Sequence, residues 1–91
     1  MRTVVEEVVV TDPLGIHARP AAALAVAVGR SRARVTVRCG SKSANGASVV
    51  ALLSLGATYG SPISAEIEGE DDAIVAVTAA LREALCPQNA G

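Results

Sequence analysis

Hydrophobic and polar positions alternate most regularly in two stretches of the chain. From Ala33 to Cys39, the side chains of Ala33, Val35, Val37 and Cys39 point one way and those of Arg34, Thr36 and Arg38 the other. That period of two belongs to a strand with one buried face. Ile63, Ala65 and Ile67 alternate in the same manner with Ser64, Glu66 and Glu68. Arginines on the outer face of one stretch and glutamates on the outer face of the other predict that the two strands are neighbours. Thr3 to Val10 is a third strand, assigned on its β-branched composition, because Glu6 and Glu7 interrupt its alternation. Gly40-Ser41 reads as a turn into a short fourth strand near 42–44.

Helical spacing appears in three places. Ala21, Leu24, Ala25 and Val28 share one face of a helix over about 18–29. Pro20 suits its first turn, and Gly29 is expected to close it. In the last segment Ile74, Val77, Thr78, Leu81 and Leu85 fall on one face, and Asp71 and Asp72 suit the N-terminal turn. Between these lies Ser48 to Leu55, opened by Asn45-Gly46 and closed by Gly56, a two-turn helix without charge on any face. So short a helix cannot hide every apolar side chain against one layer. Leu52 and Leu55 are expected on the buried side, with Val49, Val50 and Leu53 left partly exposed; an apolar surface patch of that kind marks a docking site. The order is βαββαβα. A single antiparallel sheet with all helices on one face satisfies every amphipathic element, which places the chain in the α+β class.

Composition narrows this further. Ninety-one residues make one domain, taken as residues 1–86 with a short tail over 87–91. Apolar residues make up 51% and only Tyr59 is aromatic, so the core must be built from Val, Ala, Leu and Ile. A net charge of −1 supplies no field toward nucleic acid or an anionic membrane. No apolar run reaches membrane-spanning length and no basic–apolar–small signal opens the chain, so a cytoplasmic protein without direct membrane insertion is expected. Cys39 and Cys86 have no Cys-x-x-Cys spacing and no second histidine beside them. Neither a metal site nor a cofactor is expected, and two free thiols suit a cytoplasmic chain.

The candidate chemistry centres on His17, the one histidine in the chain. It stands where the polar loop Thr11-Asp12-Pro13-Leu14-Gly15 gives way to the first helix, at or beside the N-cap. The first turn of a helix leaves backbone N–H groups unpaired at the positive end of its dipole, a ready phosphate site. Pro20 donates nothing, so the N–H groups of Ala18 and Arg19 are the expected donors. The guanidinium of Arg19 can grip phosphoryl oxygens bidentately. Both positive influences favour the neutral, nucleophilic imidazole. Together they describe a histidine that accepts and releases a phosphoryl group. Taken alone, a histidine at a helix start is commonly a surface or capping residue. Two other functions compete. A nucleic-acid module could be built on Arg30, Arg32, Arg34 and Arg38, but two of these face glutamates and one aromatic offers little stacking. A small enzyme with His17 as general base would need partners, and the sequence displays neither a carboxylate partner nor a second nucleophile.

Gly15-Ile16-His17-Ala18-Arg19-Pro20-Ala21, followed by Asn45-Gly46-Ala47-Ser48 and Leu53-Ser54-Leu55-Gly56, closely resembles the HPr family, the histidine-containing phosphocarriers of the bacterial phosphoenolpyruvate:sugar phosphotransferase system. The resemblance spans about residues 3 to 86. It implies an open-faced sandwich with sheet order 1-4-2-3, in agreement with the Arg/Glu pairing above. It implies that His17 is phosphorylated on Nδ1 by enzyme I and passes the phosphoryl group to the A domains of sugar permeases (enzyme II), with Arg19 stabilising the group in transit. Such a carrier has no turnover without its partners. Val49, Val50 and Leu53 match the family's docking surface. Ser48 matches the serine that a dedicated kinase modifies in many Gram-positive members, where a serine kinase/phosphorylase and a transcriptional regulator join the partners; Ser48 is also a good N-cap. A carrier of a nitrogen-related branch or of a dihydroxyacetone-kinase relay would share the His17 chemistry. The chain departs from some members in having Val26 and Gly29 where lysines face the partner, with Arg30 and Arg32 just beyond, and in having smaller docking residues than Phe or Met.

Overall fold

The computed structural model describes residues 1–87. Its elements are β1 (Arg2–Val9), α1 (Ala18–Ser31), β2 (Arg34–Cys39), β3 (Lys42–Asn45), α2 (Val49–Leu53), β4 (Pro62–Gly69) and α3 (Asp71–Leu85). The expected order is observed; of the expected tail, all but Pro87 lies outside the described residues.

The four strands form one antiparallel sheet in the order β1-β4-β2-β3. The neighbours predicted from charge are neighbours in fact. Arg34 stands directly opposite Glu68, and Arg38 Nη1 reaches diagonally to Glu66 Oε1 at 3.2 Å. These side chains are half exposed, so the ion pair itself contributes at most about 1 kcal/mol. Register matters more. A one-residue slip of β2 would turn Val35 and Val37 onto the open face and the arginines into the core.

All three helices cover the other face, which gives the open-faced sandwich. Val35 and Val37 of β2 and Ile63, Ala65 and Ile67 of β4 are buried together with Ala21, Leu24, Ala25 and Val28 of α1 and Ile74, Val77, Leu81 and Leu85 of α3. Every residue expected on the inner face of α1 is there. On α3, Thr78 is only half buried, while Ala73 and Ala84 are buried without having been anticipated. The core is wholly aliphatic, and Tyr59 is exposed. No helix of the described residues is long and apolar enough to cross a membrane.

Three details differ from the sequence reading, each for a physical reason. Glu6 faces the helical side of β1, because Arg82 of α3 reaches its carboxylate with Nη2–Oε1 at 2.6 Å. That pairing explains the broken alternation. Gly29 does not end α1; the helix runs on to Ser31 and stops at Arg32, whose φ of 64° is left-handed. The stop is made by Ser31, which donates its hydroxyl to the Val28 carbonyl and accepts the Ala33 N–H. Helix α2, expected over Ser48 to Leu55, is shorter than two turns, while Ser48 is the N-cap expected of it, its Oγ accepting the Ala51 N–H at 3.2 Å.

Candidate functional site

The site begins with a turn. Asp12-Pro13-Leu14-Gly15 has Asp first, Pro second and Gly fourth, the residues such a turn favours. The Gly15 N–H donates to the Asp12 carbonyl at 2.9 Å, and the Leu14 N–H donates to Asp12 Oδ1 at 2.9 Å. Gly15 has φ of +70°, and a Cβ there would strike the Ala57 carbonyl oxygen and lie 2.9 Å from Thr58 Cα. Glycine is required on both counts. The Ile16 N–H then donates to Ala57 at 3.2 Å, tying the loop to the segment that follows α2.

His17 is the N-cap of α1, with φ −125° and ψ 177°. Its carbonyl accepts the Ala21 N–H at 3.1 Å, and its ring makes no side-chain cap bond. Pro20 lies inside the first turn. The N–H groups of Ala18 and Arg19 have no hydrogen-bond acceptor among the described residues. Four features expected of an anion-binding helix end therefore coincide: the N-cap, two bare amides, the proline and a nearby guanidinium. His17 and Arg19 line one surface cleft of about 480 Å³ between α1 and α3, together with Asp12, Pro20 and Glu83.

One expectation is overturned here. His17 does have a carboxylate partner: Asp12 Oδ2 lies 3.0 Å from His17 Nε2. The pairing is hidden in the sequence because the two residues are separated by a turn and meet only when Pro13 and Gly15 fold it back. An Asp-Pro-x-Gly turn just before a helix-capping histidine was the available signal. The Leu14 N–H, then the His17 ring, hold the Asp12 carboxyl below its ordinary value. A carboxyl lowered in the fold stabilises it above the ordinary carboxylate range, and that stabilisation is lost as pH falls through the lowered value. The acid limb of a stability–pH curve is accordingly expected to be less steep in Asp12→Asn than in the parent, measured by urea unfolding below about pH 4.

Helix α2 packs beside α1, and the segment that follows it is tied to the His17 loop through the Ala57 carbonyl. Leu52 and Leu55 are buried as expected; Val49 is half buried, Val50 is exposed and Leu53 lies between, at 38%. Leu14 of the turn and Tyr59 beyond α2 are also exposed, two apolar surfaces that periodicity could not single out because both lie in loops. Cys39 and Cys86 are free thiols, as expected. Arg34 and Arg38, the strand arginines of the nucleic-acid reading, face glutamates across β4.

An open-faced sandwich carrying a histidine and an arginine at the tip of its first helix defines the class of small phosphoryl-carrier domains. Comparison with known proteins agrees. Residues 4–83 match the family model described as the PTS HPr component phosphorylation site. A phosphocarrier protein HPr of Lysinibacillus sphaericus is 37% identical over 67 residues, 74% of this chain and 76% of that protein. One from Xylella fastidiosa (strain 9a5c) is 32% identical over 66 residues, 72% of this chain and 74% of that protein. Among solved structures, a Mycoplasma histidine-containing phosphocarrier protein superposes with a TM-score of 0.82 at 27% identity, covering 90% of this chain and 97% of that one. HPr of Bacillus anthracis gives 0.74 at 31% identity, covering 86% and 95%. The chain belongs to the HPr family and is a phosphocarrier of the phosphotransferase system, working with phosphotransfer partners and not as an enzyme in itself.

Proposed function

We propose that His17 is the phosphoryl acceptor, charged by enzyme I and discharged onto the A domains of sugar-specific permeases. The observation that carries this is the placement of a half-exposed imidazole at a helix tip, with two bare backbone amides and Arg19 in the same cleft. Phosphoryl transfer asks mostly for positioning and charge stabilisation. The Ala18 and Arg19 N–H groups and the Arg19 guanidinium supply the second. The relatives carry the name HPr, which supports the sugar branch over a nitrogen-related or dihydroxyacetone-kinase relay. Residues 1–86 act as one unit, supported by the continuous core, in the cytoplasm, where phosphoenolpyruvate chemistry takes place.

Val49, Val50 and Leu53 form the docking patch for these partners, a reading supported by the exposure of Val50 and Leu53 and the half-buried Val49 on an uncharged helix. Ser48 is the regulatory site for a serine kinase/phosphorylase, and the Ser48-modified form addresses a transcriptional regulator. Its hydroxyl already caps α2. A phosphate there would place about two negative charges at the border of the patch and weaken docking to enzyme I.

The direct test is incubation with phosphoenolpyruvate and enzyme I, followed by mass spectrometry of the histidine peptide. A phosphate on His17 supports the assignment; a phosphate elsewhere overturns it. Arg19 separates chemistry from docking. Arg19→Ala is expected to slow single-turnover transfer by about a hundredfold, the scale for removing one charge-stabilising donor, while enzyme I binding measured by calorimetry changes little. Equal losses in rate and affinity would assign Arg19 to docking.

A further inference from the structure

Resting on the carrier role of His17, we propose that Asp12 is the positioning residue for phosphoryl transfer: its carboxylate holds the ring proton on Nε2 and presents the bare Nδ1 lone pair to the incoming phosphoryl group. The geometry is specific. Oδ2 faces Nε2 at 3.0 Å, while Oδ1 is taken by the Leu14 N–H at 2.9 Å. The Gly15 N–H closes the same turn onto the Asp12 carbonyl, and Pro13 restricts the backbone between them. The carboxylate therefore cannot swing away from the ring without giving up the Leu14 N–H bond. Exposure is divided in the same sense: the Asp12 side chain is 15% exposed and that of His17 is 36%.

An ionised carboxylate only accepts hydrogen bonds, so Nε2 must donate. A neutral imidazole has one ring proton, and with that proton on Nε2 the nucleophilic nitrogen is Nδ1. In the transfer step the Nδ1 lone pair forms the N–P bond. The bond between phosphorus and the donor atom of phosphorylated enzyme I breaks, and its electron pair returns to the donor. The Nε2 proton stays in place, so the phosphorylated ring is a cation with Asp12 as its counter-ion. When the phosphoryl group moves on, the N–P electron pair returns to Nδ1 and a neutral imidazole leaves. Keeping the ring cationic makes it the better leaving group. Besides Asp12, the charged side chains lining the cleft among the described residues are Arg19 from α1 and Glu83 from α3; of these only Asp12 is hydrogen-bonded to the ring.

Because His17 is the one histidine, protein labelled with ¹⁵N-histidine gives two ring nitrogen signals that report the tautomer directly. The carboxamide of Asp12→Asn has a single acceptor oxygen. With the Leu14 N–H holding that oxygen, its NH₂ faces Nε2 and favours the Nδ1–H form, while the turn is kept. Asp12→Ala removes both groups. The parent is expected to show the Nε2–H form, and Asp12→Asn a shift of population toward Nδ1–H. Asp12→Asn should lower transfer at saturating phosphorylated enzyme I by about tenfold to a hundredfold, taking the scale from loss of the carboxylate partner of a metal-ligating histidine, with the half-saturating donor concentration unchanged.

Parent-like tautomer and rate in both variants would overturn the positioning role. So would a slow Asp12→Ala beside a parent-like Asp12→Asn, which would assign the effect to the turn. In either case phosphate found on His17 by mass spectrometry leaves the carrier role standing. Absence of phosphate from His17 in the parent protein would instead overturn the carrier role, and the positioning role with it.

Discussion

Replacing His17 with alanine is expected to abolish phosphoryl uptake while leaving the fold intact. Among the described residues the ring makes one hydrogen bond, to Asp12, and gives α1 no side-chain cap. Its carbonyl, which accepts the Ala21 N–H, survives the substitution. The loss of stability should stay within about 1 kcal/mol, the worth of one partly exposed hydrogen bond. Two measurements separate these effects. Phosphoenolpyruvate and enzyme I should leave no acid-labile phosphate on the variant, and its amide spectrum should overlay that of the parent except near residues 12–21. Retained label would mean that another residue accepts the phosphoryl group. A collapsed spectrum would mean that His17 is structural.

The largest expected effect on stability comes from the opposite kind of residue. Leu81 is fully buried on α3, on the face turned to the sheet. Leu81→Ala removes several methyl and methylene groups from a close-packed interior and is expected to cost about 2–5 kcal/mol. Small domains have total stabilities of about 5–15 kcal/mol, and each kcal/mol moves the midpoint by about 4–8 °C at this size. Thermal unfolding followed by circular dichroism should therefore fall by about 10 °C or more. The reason the cost is high lies in composition. The core contains no aromatic side chain, and both cysteines are free. Stability is spread over many aliphatic contacts, with no cross-link to absorb the loss of one. A shift of only a degree or two would show that α3 packs more loosely than its burial implies.

The parts of the fold that were legible beforehand are those governed by periodicity. Val35 and Val37, then Ile63, Ala65 and Ile67, mark two strands buried on one side. Their outward arginines and glutamates predicted the β2–β4 pairing. The full strand order needed the resemblance to HPr, since nothing in β1 alone says which strand it joins. Element ends were read less well, because they depend on single side-chain bonds. Gly29 has the composition of a helix stop, yet Ser31 and a left-handed Arg32 supply the stop two residues later. The site divides in the same way. The residues at the helix tip could be placed because Pro20 and the run of small apolar residues fix where α1 starts. Asp12 could not be matched to His17, because the contact exists only after the turn has formed. Glu6 was illegible for a similar reason: its partner, Arg82, comes from the far end of the chain.

The strand order also governs how this chain can be made. β1 is synthesised before the rest of this domain, yet among the described residues the one strand it pairs with is β4, which begins at Pro62. Until that segment emerges, β1 has no edge to join, and α1 has only part of a floor to rest on. Pairings between such distant stretches are costly to close and slow to form. Vectorial synthesis should therefore release a largely unstructured nascent chain that commits to its native topology in one late, cooperative step.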